Sequence, residues 1–476
     1  MRLALAALFV ALSGEVGATS LDETPCPFAD DLISHRAACS RFDREDDGTR
    51  IAFDIAILTP RARRSIGHVL YIPGGPGEAP VTEDGLYTDI LLPFANRTIV
   101  LFNPRGTEGT APRLECDFGA KIWDEDFGGE EERAVLNGCI ERIARDGPDP
   151  ARFTSLEIAE DIDALIRALG IQKAGLYGIS YGTEAGLHLL AQELSWLEFV
   201  ILDSVSVPGL SGVADEIVAR DRFLAALNRM CFAQRECSPY ARVVGDTLHD
   251  WAAEFDADPL PLHPVEGVDW TYDGTEMLDY LAQYGAYRDG LALAVSVIDM
   301  LATGRLGALA WMKADAVSNT EFTRDSLPLM LQAYADTFDP QDFETIQSPT
   351  RYARDIDIAA DLLEFYRLWR GEQPREAMLL NGARQPVGVP ALILSGGIDP
   401  FTPVEWAEAL HARFTGLQHY IYPLLGHAVS IDAGGVNTRT PMGTQMHCAS
   451  GSVRAFLDPT LKPDRPCEAY EAKGTQ

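Results

Sequence analysis

The stretch Gly178-Ile179-Ser180-Tyr181-Gly182 constrains this chain more than any other. It has the form G-x-S-x-G. An apolar run, Ala174 to Tyr177, precedes it, and a helix-forming run, Thr183 to Ala191, follows it. A serine held on a sharp strand-to-helix turn is a nucleophile elbow, and the flanking glycines permit the tight backbone and close packing that such a turn needs. In isolation the same five residues also fit an ordinary turn, so their meaning depends on what surrounds them.

The surroundings alternate between strand and helix signals. Thr49 to Leu58 alternates apolar and polar residues and reads as an antiparallel strand leading a sheet. His68 to Ile72 is a short apolar run ending in Pro73-Gly74-Gly75-Pro76-Gly77, and Thr98 to Phe102 is another, ending in Asn103-Pro104-Arg105-Gly106. Ser155 to Leu169 has apolar residues at helical spacing, with Ser155 as N-cap and Gly170 as the stop. Phe199 to Asp203 reads as the strand after the elbow helix. This rhythm predicts a mostly parallel sheet flanked by helices, an α/β fold. It breaks after Pro208. From 209 to 385 the chain is rich in alanine and leucine, with no clear strand series, and reads as an inserted helical cap interrupted by the Pro-rich link Pro259 to Pro264. The rhythm resumes with a strand at Val389 to Ser395, a helix at Pro403 to Phe414, a last strand at His419 to Tyr422 and a closing helix at Ser450 to Leu457. The expected layout is therefore a leader over 1–18, core over 19–208, cap over 209–385 and core again over 386–476.

A chain of 476 residues suits a large α/β core with an inserted piece. Its net charge of −32 repels phosphate backbones and excludes nucleic acid as an expected partner. Arg2, the apolar run Leu3 to Leu12 and the small residues Val16-Gly17-Ala18 fit a signal peptide cleaved before Thr19. The run is short for a membrane span. The expected location is periplasmic or extracellular, with no stable span after cleavage. The 8 cysteines fall into pairs close in sequence, Cys26–Cys39, Cys116–Cys139, Cys231–Cys237 and Cys448–Cys467, as expected for disulfides in an oxidising compartment. No C-x-x-C, H-E-x-x-H, EF-hand loop, G-x-G-x-x-G or P-loop is present, so neither metal nor cofactor is expected.

A serine hydroxyl is a weak nucleophile. It needs a base within hydrogen-bond reach, and the base needs a carboxylate to fix its tautomer. On an elbow fold the chain order is Ser, Asp or Glu, His. Ser180 is the nucleophile candidate. Asp399, in Gly396-Gly397-Ile398-Asp399-Pro400, follows a strand and is the candidate acid; Asp203 is the second choice, although a loop-ordering role suits it better. His427, in the loop after the last strand, is the candidate base, with His447 behind it. Backbone N–H groups of Tyr181 and of Gly75 in the P-G-G-P-G turn are the candidate oxyanion hole; Pro76 has no N–H to offer.

With these residues in place, the chain resembles the α/β-hydrolase superfamily, and within it the secreted tripeptidyl-aminopeptidase and proline-iminopeptidase-like serine peptidases. The resemblance rests on the P-G-G-P-G turn, Asn103-Pro104-Arg105-Gly106-Thr107, Gly178 to Thr183, Asp399-Pro400-Phe401-Thr402-Pro403, Gly426-His427-Ala428, and Cys448 with Phe456-Leu457. It spans about Thr49 to Leu457 and is weakest in the cap. It implies acyl transfer to Ser180, base work by His427, orientation by Asp399, and a peptide substrate cut near its free N-terminus. Pro73 stands where the family has His, Asn103 where Asp is common, and Glu184 where a bulky or apolar residue is usual. An aminopeptidase also needs a carboxylate for the substrate ammonium, for which Glu184 and Asp336 are the candidates; each also fits a solvated helix face. An esterase or amidase acting on small substrates uses the same machinery, and a silent binding protein keeps the same fold.

Overall fold

Strands that are apolar throughout belong in the middle of a parallel sheet, because both of their faces are covered. In the computed structural model these runs form β4 (His68–Ile72), β5 (Thr98–Phe102), β7 (Ala174–Ile179) and β8 (Leu197–Asp203). Every residue of β5 and of β7 is buried. The structure describes residues 19–27, 34–82 (except 47, 62 and 63), 92–114, 116, 129–210, 218–226 (except 221), 244–262, pieces of 270–300, Leu329, 379–431, and 441–467 (except 459 and 462–466).

The sheet order is β1-β2-β3-β5-β4-β7-β8-β11-β12, where β1 is Ser20–Thr24, β2 His35–Asp46, β3 Thr49–Pro60, β11 Gln385–Gly396 and β12 Phe414–Tyr422. A two-residue strand, β6 (Thr110–Ala111), pairs with β3 off this path. The first three strands are antiparallel, and from β5 onward every pairing is parallel. The sheet therefore grows outward in both directions from β4, with β5 on one side and β7 on the other. In α/β sheets such a reversal opens a crevice at the strands' carboxyl ends. The P-G-G-P-G turn after β4 and Ser180 after β7 stand at that crevice.

Helices cover both faces. Among the described residues they are α1 (Gly129–Asp146), α2 (Ser155–Ala168), α3 (Gly182–Ala191), α4 (Val244–Ala257), α5 (Val404–Arg413) and α6 (Pro441–Leu457). Alternate side chains of one strand feed two separate cores. Leu70, Ile72 and Leu176 pack with Ile162 and Leu165 of α2, Leu187 and Leu190 of α3, and Trp406 and Leu410 of α5. Val69, Tyr71, Tyr177 and Ile179 pack with Phe94 and with Ala449 and Val453 of α6.

Several elements differ from the sequence reading. β1 and β2 were not anticipated; β2 pairs with β3 along its whole length, across a turn where Gly48 has φ +79°. The N-cap of α2 is Thr154, whose hydroxyl accepts from the Glu157 N–H, so Ser155 is already the first helical residue. The reason lies in a T-x-x-E capping box one residue earlier than the predicted cap. The Pro-rich link contains β9 (Leu260–Leu262), which pairs antiparallel with β10 (Trp270–Tyr272), a small hairpin inside the segment expected to be helical. β11, β12 and α6 all begin earlier than expected. Most of 209–385 and all of 1–18 lie outside the described residues, as do Cys231 and Cys237. The other cysteines pair as expected: Cys26–Cys39, Cys116–Cys139 and Cys448–Cys467. Among the described residues no helix is long and apolar enough to cross a membrane.

The Asn103-Pro104-Arg105-Gly106-Thr107 segment is an internal brace. Asn103 is fully buried; its Oδ1 accepts from the Val81 N–H at 2.7 Å and its Nδ2 donates to the Glu108 carbonyl at 2.9 Å. Arg105 grips Asp161 of α2 with two parallel bonds of 2.7 Å and also reaches Asp46 of β2 at 3.2 Å. Arg44 joins the same two carboxylates, at 2.8 Å to Asp161 and 3.0 Å to Asp46. Removing one partner of a buried ion pair leaves an uncompensated charge, which costs about 3–5 kcal/mol. Arg105→Ala is therefore expected to lower the unfolding free energy by about that amount, read as a reduced urea midpoint. A midpoint unchanged from the parent contradicts the brace.

Candidate active site

Ser180 directly follows β7 with φ +55°, in the left-handed region that non-glycine residues rarely occupy. Such strain persists only where the surroundings over-determine it. The surroundings here are specific. The Ser180 N–H donates to the Asp203 carbonyl of β8 at 2.9 Å, and the Thr183 N–H and hydroxyl both return to the Ser180 carbonyl, at 2.9 and 2.6 Å. Helix α3 starts at once, so its positive N-terminal end faces the serine. A Cβ on Gly182 would stand 2.4 Å from the carbonyl oxygens of Ile72 and Pro73, so only glycine lets the elbow sit this close to the turn after β4.

Asp399 and His427 meet. His427 Nδ1 lies 2.8 Å from Asp399 Oδ2, and both residues are buried. Asp399 also accepts from the Phe401 N–H at 2.9 Å, the Thr402 N–H at 3.0 Å and the Thr402 hydroxyl at 2.7 Å. Burial pushes the Asp399 carboxyl up, but the neighbouring imidazole and these donors win and hold its pKa below the ordinary value. Burial pulls the His427 imidazole down; the Asp399 charge and hydrogen bond, helped by Asp203 and Glu78, more than offset this, and its pKa is raised above 6.5. With the Nδ1 proton committed to the carboxylate, Nε2 is the acceptor of the neutral ring. The His427 and Phe401 rings meet at 5.2 Å between centroids in a T-shaped contact. The histidine loop also bonds beyond the core, from the His427 N–H to the Ala286 carbonyl at 2.8 Å.

Asp203 has another place. Its carboxylate is fully buried and accepts from the Val429 N–H at 3.0 Å, the Ser430 N–H at 2.7 Å, the Ser204 hydroxyl at 3.2 Å and the Ser430 hydroxyl. Since Ser430 spends its proton on Asp203, the Tyr177 hydroxyl must donate to Ser430 Oγ, across 2.7 Å. Ser204, also at positive φ (+56°), accepts from the Ala428 N–H at 2.8 Å, and Ala428 has the same φ of +56°. The Ser180 turn and the histidine loop are thus both fastened to Asp203, and the histidine loop to Ser204 as well. Asp203 makes no hydrogen bond to His427, and His447 of α6 is not among the donors to Asp399. Burial raises the Asp203 pKa, and its donors, with His427, offset that only in part.

The other candidates divide. Gly75, in the turn after β4, has φ +98°, and Tyr181 follows Ser180 directly and opens α3. Gly74 is so close to the nucleophile that a Cβ there would meet the Ser180 Cβ at 3.2 Å. The Gly74 N–H is already spent on Glu78 Oε2 at 3.0 Å, and Pro73 and Pro76 have none, so Gly75 keeps its candidacy as a donor. Glu184 is only 3% exposed and accepts from the Ser206 hydroxyl at 2.6 Å, which ties α3 to the segment after β8. So enclosed a carboxylate is a poor receptor for an incoming ammonium. Asp336 lies outside the described residues. Among the described residues no His, Cys, Asp and Glu group is arranged to hold a metal ion. Sequence reasoning missed Ser204, Ser430, Tyr177 and Glu78; only the proximity of Glu78 to the P-G-G-P-G turn pointed toward any of them.

Comparison with known proteins supports the α/β-hydrolase fold. Residues 67–226 match the family described as alpha/beta hydrolase fold, and residues 369–467 match the family described as TAP-like protein. The first match contains Ser180 and the second contains Asp399 and His427. The chain is 24% identical over 399 residues to the tripeptidyl aminopeptidase of Streptomyces lividans, covering 77% of this chain and 72% of that protein. It is 25% identical over 226 residues to the serine protease Hip1 of Mycobacterium tuberculosis. That alignment covers 43% of each chain, so it spans less than half the length of the Hip1 relatives.

The imidazole must be neutral to accept a proton, and its pKa is raised. Hydrolysis of an activated ester is therefore expected to fail on an acidic limb centred above 6.5. Asp203→Asn removes one of the charges that raise it, so the limb is expected to move to lower pH while the plateau rate falls. A wild-type limb below 6.5, or one unmoved in the variant, contradicts the assignment.

Proposed function

We propose that this chain, which belongs to the α/β-hydrolase family and is a serine hydrolase, is an exported aminopeptidase that releases amino acids or short peptides from peptide N-termini. The strained Ser180 at the crevice, tied through Asp203 to the loop whose imidazole is locked to a buried carboxylate, is the observation that carries the reading. Export is supported by the leader-like N-terminus and by three disulfides, which persist in oxidising compartments. The peptide substrate is supported by the aligned peptidases and by the TAP-like match across the acid and the base.

The chemistry runs as follows. Ser180 Oγ adds to the scissile carbonyl carbon while His427 Nε2 takes its proton. Asp399 keeps the imidazole in the correct tautomer and stabilises its charge without accepting the proton. The oxyanion is met by the Tyr181 and Gly75 N–H groups, with the N-terminus of α3 behind them. When the tetrahedral adduct collapses, the C–N bond breaks and His427 returns the proton to the departing amine. Water then repeats the sequence on the acyl-enzyme, releasing the N-terminal fragment and restoring Ser180.

The test compares amide and ester substrates. For p-nitroanilides with a free N-terminus, kcat/KM is expected to exceed that of the N-acetylated counterparts by at least about tenfold, the worth of roughly 1.4 kcal/mol. Turnover of short acyl esters with no cleavage of any free-amine anilide overturns the peptidase reading and makes the chain a carboxylesterase.

A further inference from the structure

An apolar gap opens on one side of Ser180, and the proposed acyl transfer leaves it unassigned. Among the described residues Gly74 and Tyr181 line it, together with Phe153, Ile158 of α2 and Leu329 from the 209–385 segment. It adjoins the nucleophile: Tyr181 is the next residue, and a Cβ on Gly74 would stand 3.2 Å from the Ser180 Cβ. Arg105 and Thr107 also border it, and both turn their polar groups onto the protein. Arg105 directs its guanidinium to Asp161, Asp46 and the Arg152 carbonyl, and the Thr107 hydroxyl donates to the Pro104 carbonyl at 2.7 Å. What faces the gap is mostly hydrocarbon, so it favours an apolar group.

The sheet order decides which part of a substrate reaches the gap. β8, β11 and β12, which carry Asp203, Asp399 and His427 at or beyond their ends, lie to one side of β7. β4 and β5 lie to the other, and Ile72, Pro104 and Arg105 bring their ends into the wall of the gap. His427 returns its proton to the departing amine, so the amine lies toward β8 and the acyl half of the substrate toward β4. The enclosed part of the gap has room for little more than one water-sized group, although the whole gap with its mouth is about 370 Å³. Phe153 and Leu329 converge over Gly106, where a Cβ would stand 2.8 Å from the phenyl ring and 2.7 Å from the leucine side chain. We propose that this gap receives the side chain of the residue whose carbonyl Ser180 attacks, and that Ile158, Phe153 and Leu329 restrict it to a short apolar side chain such as that of alanine. This rests on the aminopeptidase reading and names the residue beside the cut.

The test uses p-nitroanilides that differ only in the residue next to the anilide: alanine, leucine or phenylalanine. That residue is carried alone or at the end of a tripeptide, whichever the parent cleaves faster. The parent, Ile158→Ala and Leu329→Ala are compared. In the parent, kcat/KM for alanine is expected to exceed that for leucine and for phenylalanine by about tenfold or more, the scale on which a hydrophobic pocket discriminates methylene groups. Each variant widens the gap and is expected to raise the leucine-to-alanine ratio by about tenfold. A damaged fold lowers all three substrates together and leaves that ratio alone, so the ratio separates a wider pocket from lost stability. A parent that favours leucine or phenylalanine overturns the proposal, as does a ratio that neither variant moves. If the parent cleaves no anilide but does cleave p-nitrophenyl acetate, the peptidase reading has failed and the proposal falls with it. If the anilides are cleaved and the ratio stays fixed, only the pocket assignment has failed.

Discussion

The arrangement of the candidate site depends on one buried carboxylate to which the proposed chemistry gives no role. Asp203 is the last residue of β8, and the β7–β8 register places it opposite Ile179, the residue before the nucleophile. Its carbonyl takes the Ser180 N–H, and its carboxylate takes the backbone of Val429 and Ser430, just past His427. Ser180 and His427 lie 247 positions apart in the chain, and the end of one strand holds both of their loops. Burying a carboxylate is costly unless donors surround it. Here the donors are the loop that must be positioned, so the cost of burial is offset only when the site is assembled.

The glycines at the crevice reflect the same need for closeness. A Cβ on Gly396 would stand 1.9 Å from the Gly426 carbonyl oxygen, so the acid loop and the base loop touch backbone to backbone. With Gly182 against the turn after β4, the site becomes a convergence of main chains, with the reacting side chains held between them. Its rigidity comes from the sheet beneath. Arg105, Arg44, Asp161 and Asp46 brace β2 and α2 to the loop after β5, and Asn103 ties that loop to Val81.

Some of this was legible in the sequence. The elbow and the Ser–Asp–His order are local signals, because each residue sits in a loop next to a recognisable strand. The parallel strands were readable for the same reason: full burial on both faces leaves an unbroken apolar run. The role of Asp203 was only half visible, since its partners are fixed by strand register and by a loop whose donors Val429 and Ser430 lie 226 and 227 positions further along the chain, neither of which composition encodes. β2 was missed because its charged residues Arg36, Arg41, Arg44 and Glu45 break the alternation; some of them face ion pairs that exist only once α2 and the loop after β5 have docked. The Thr154 cap was written in the T-x-x-E spacing, whereas the β9–β10 hairpin lay behind prolines that read as a link.

The central claim is that Ser180 is an activated nucleophile because the fold holds His427 beside it. Peptide mapping after reaction of the folded protein with a fluorophosphonate tests this most directly. The account predicts one adduct, on the peptide containing Ser180, and none after His427→Ala or after denaturation. An adduct on a different residue, or equal labelling of native and denatured protein, would contradict it.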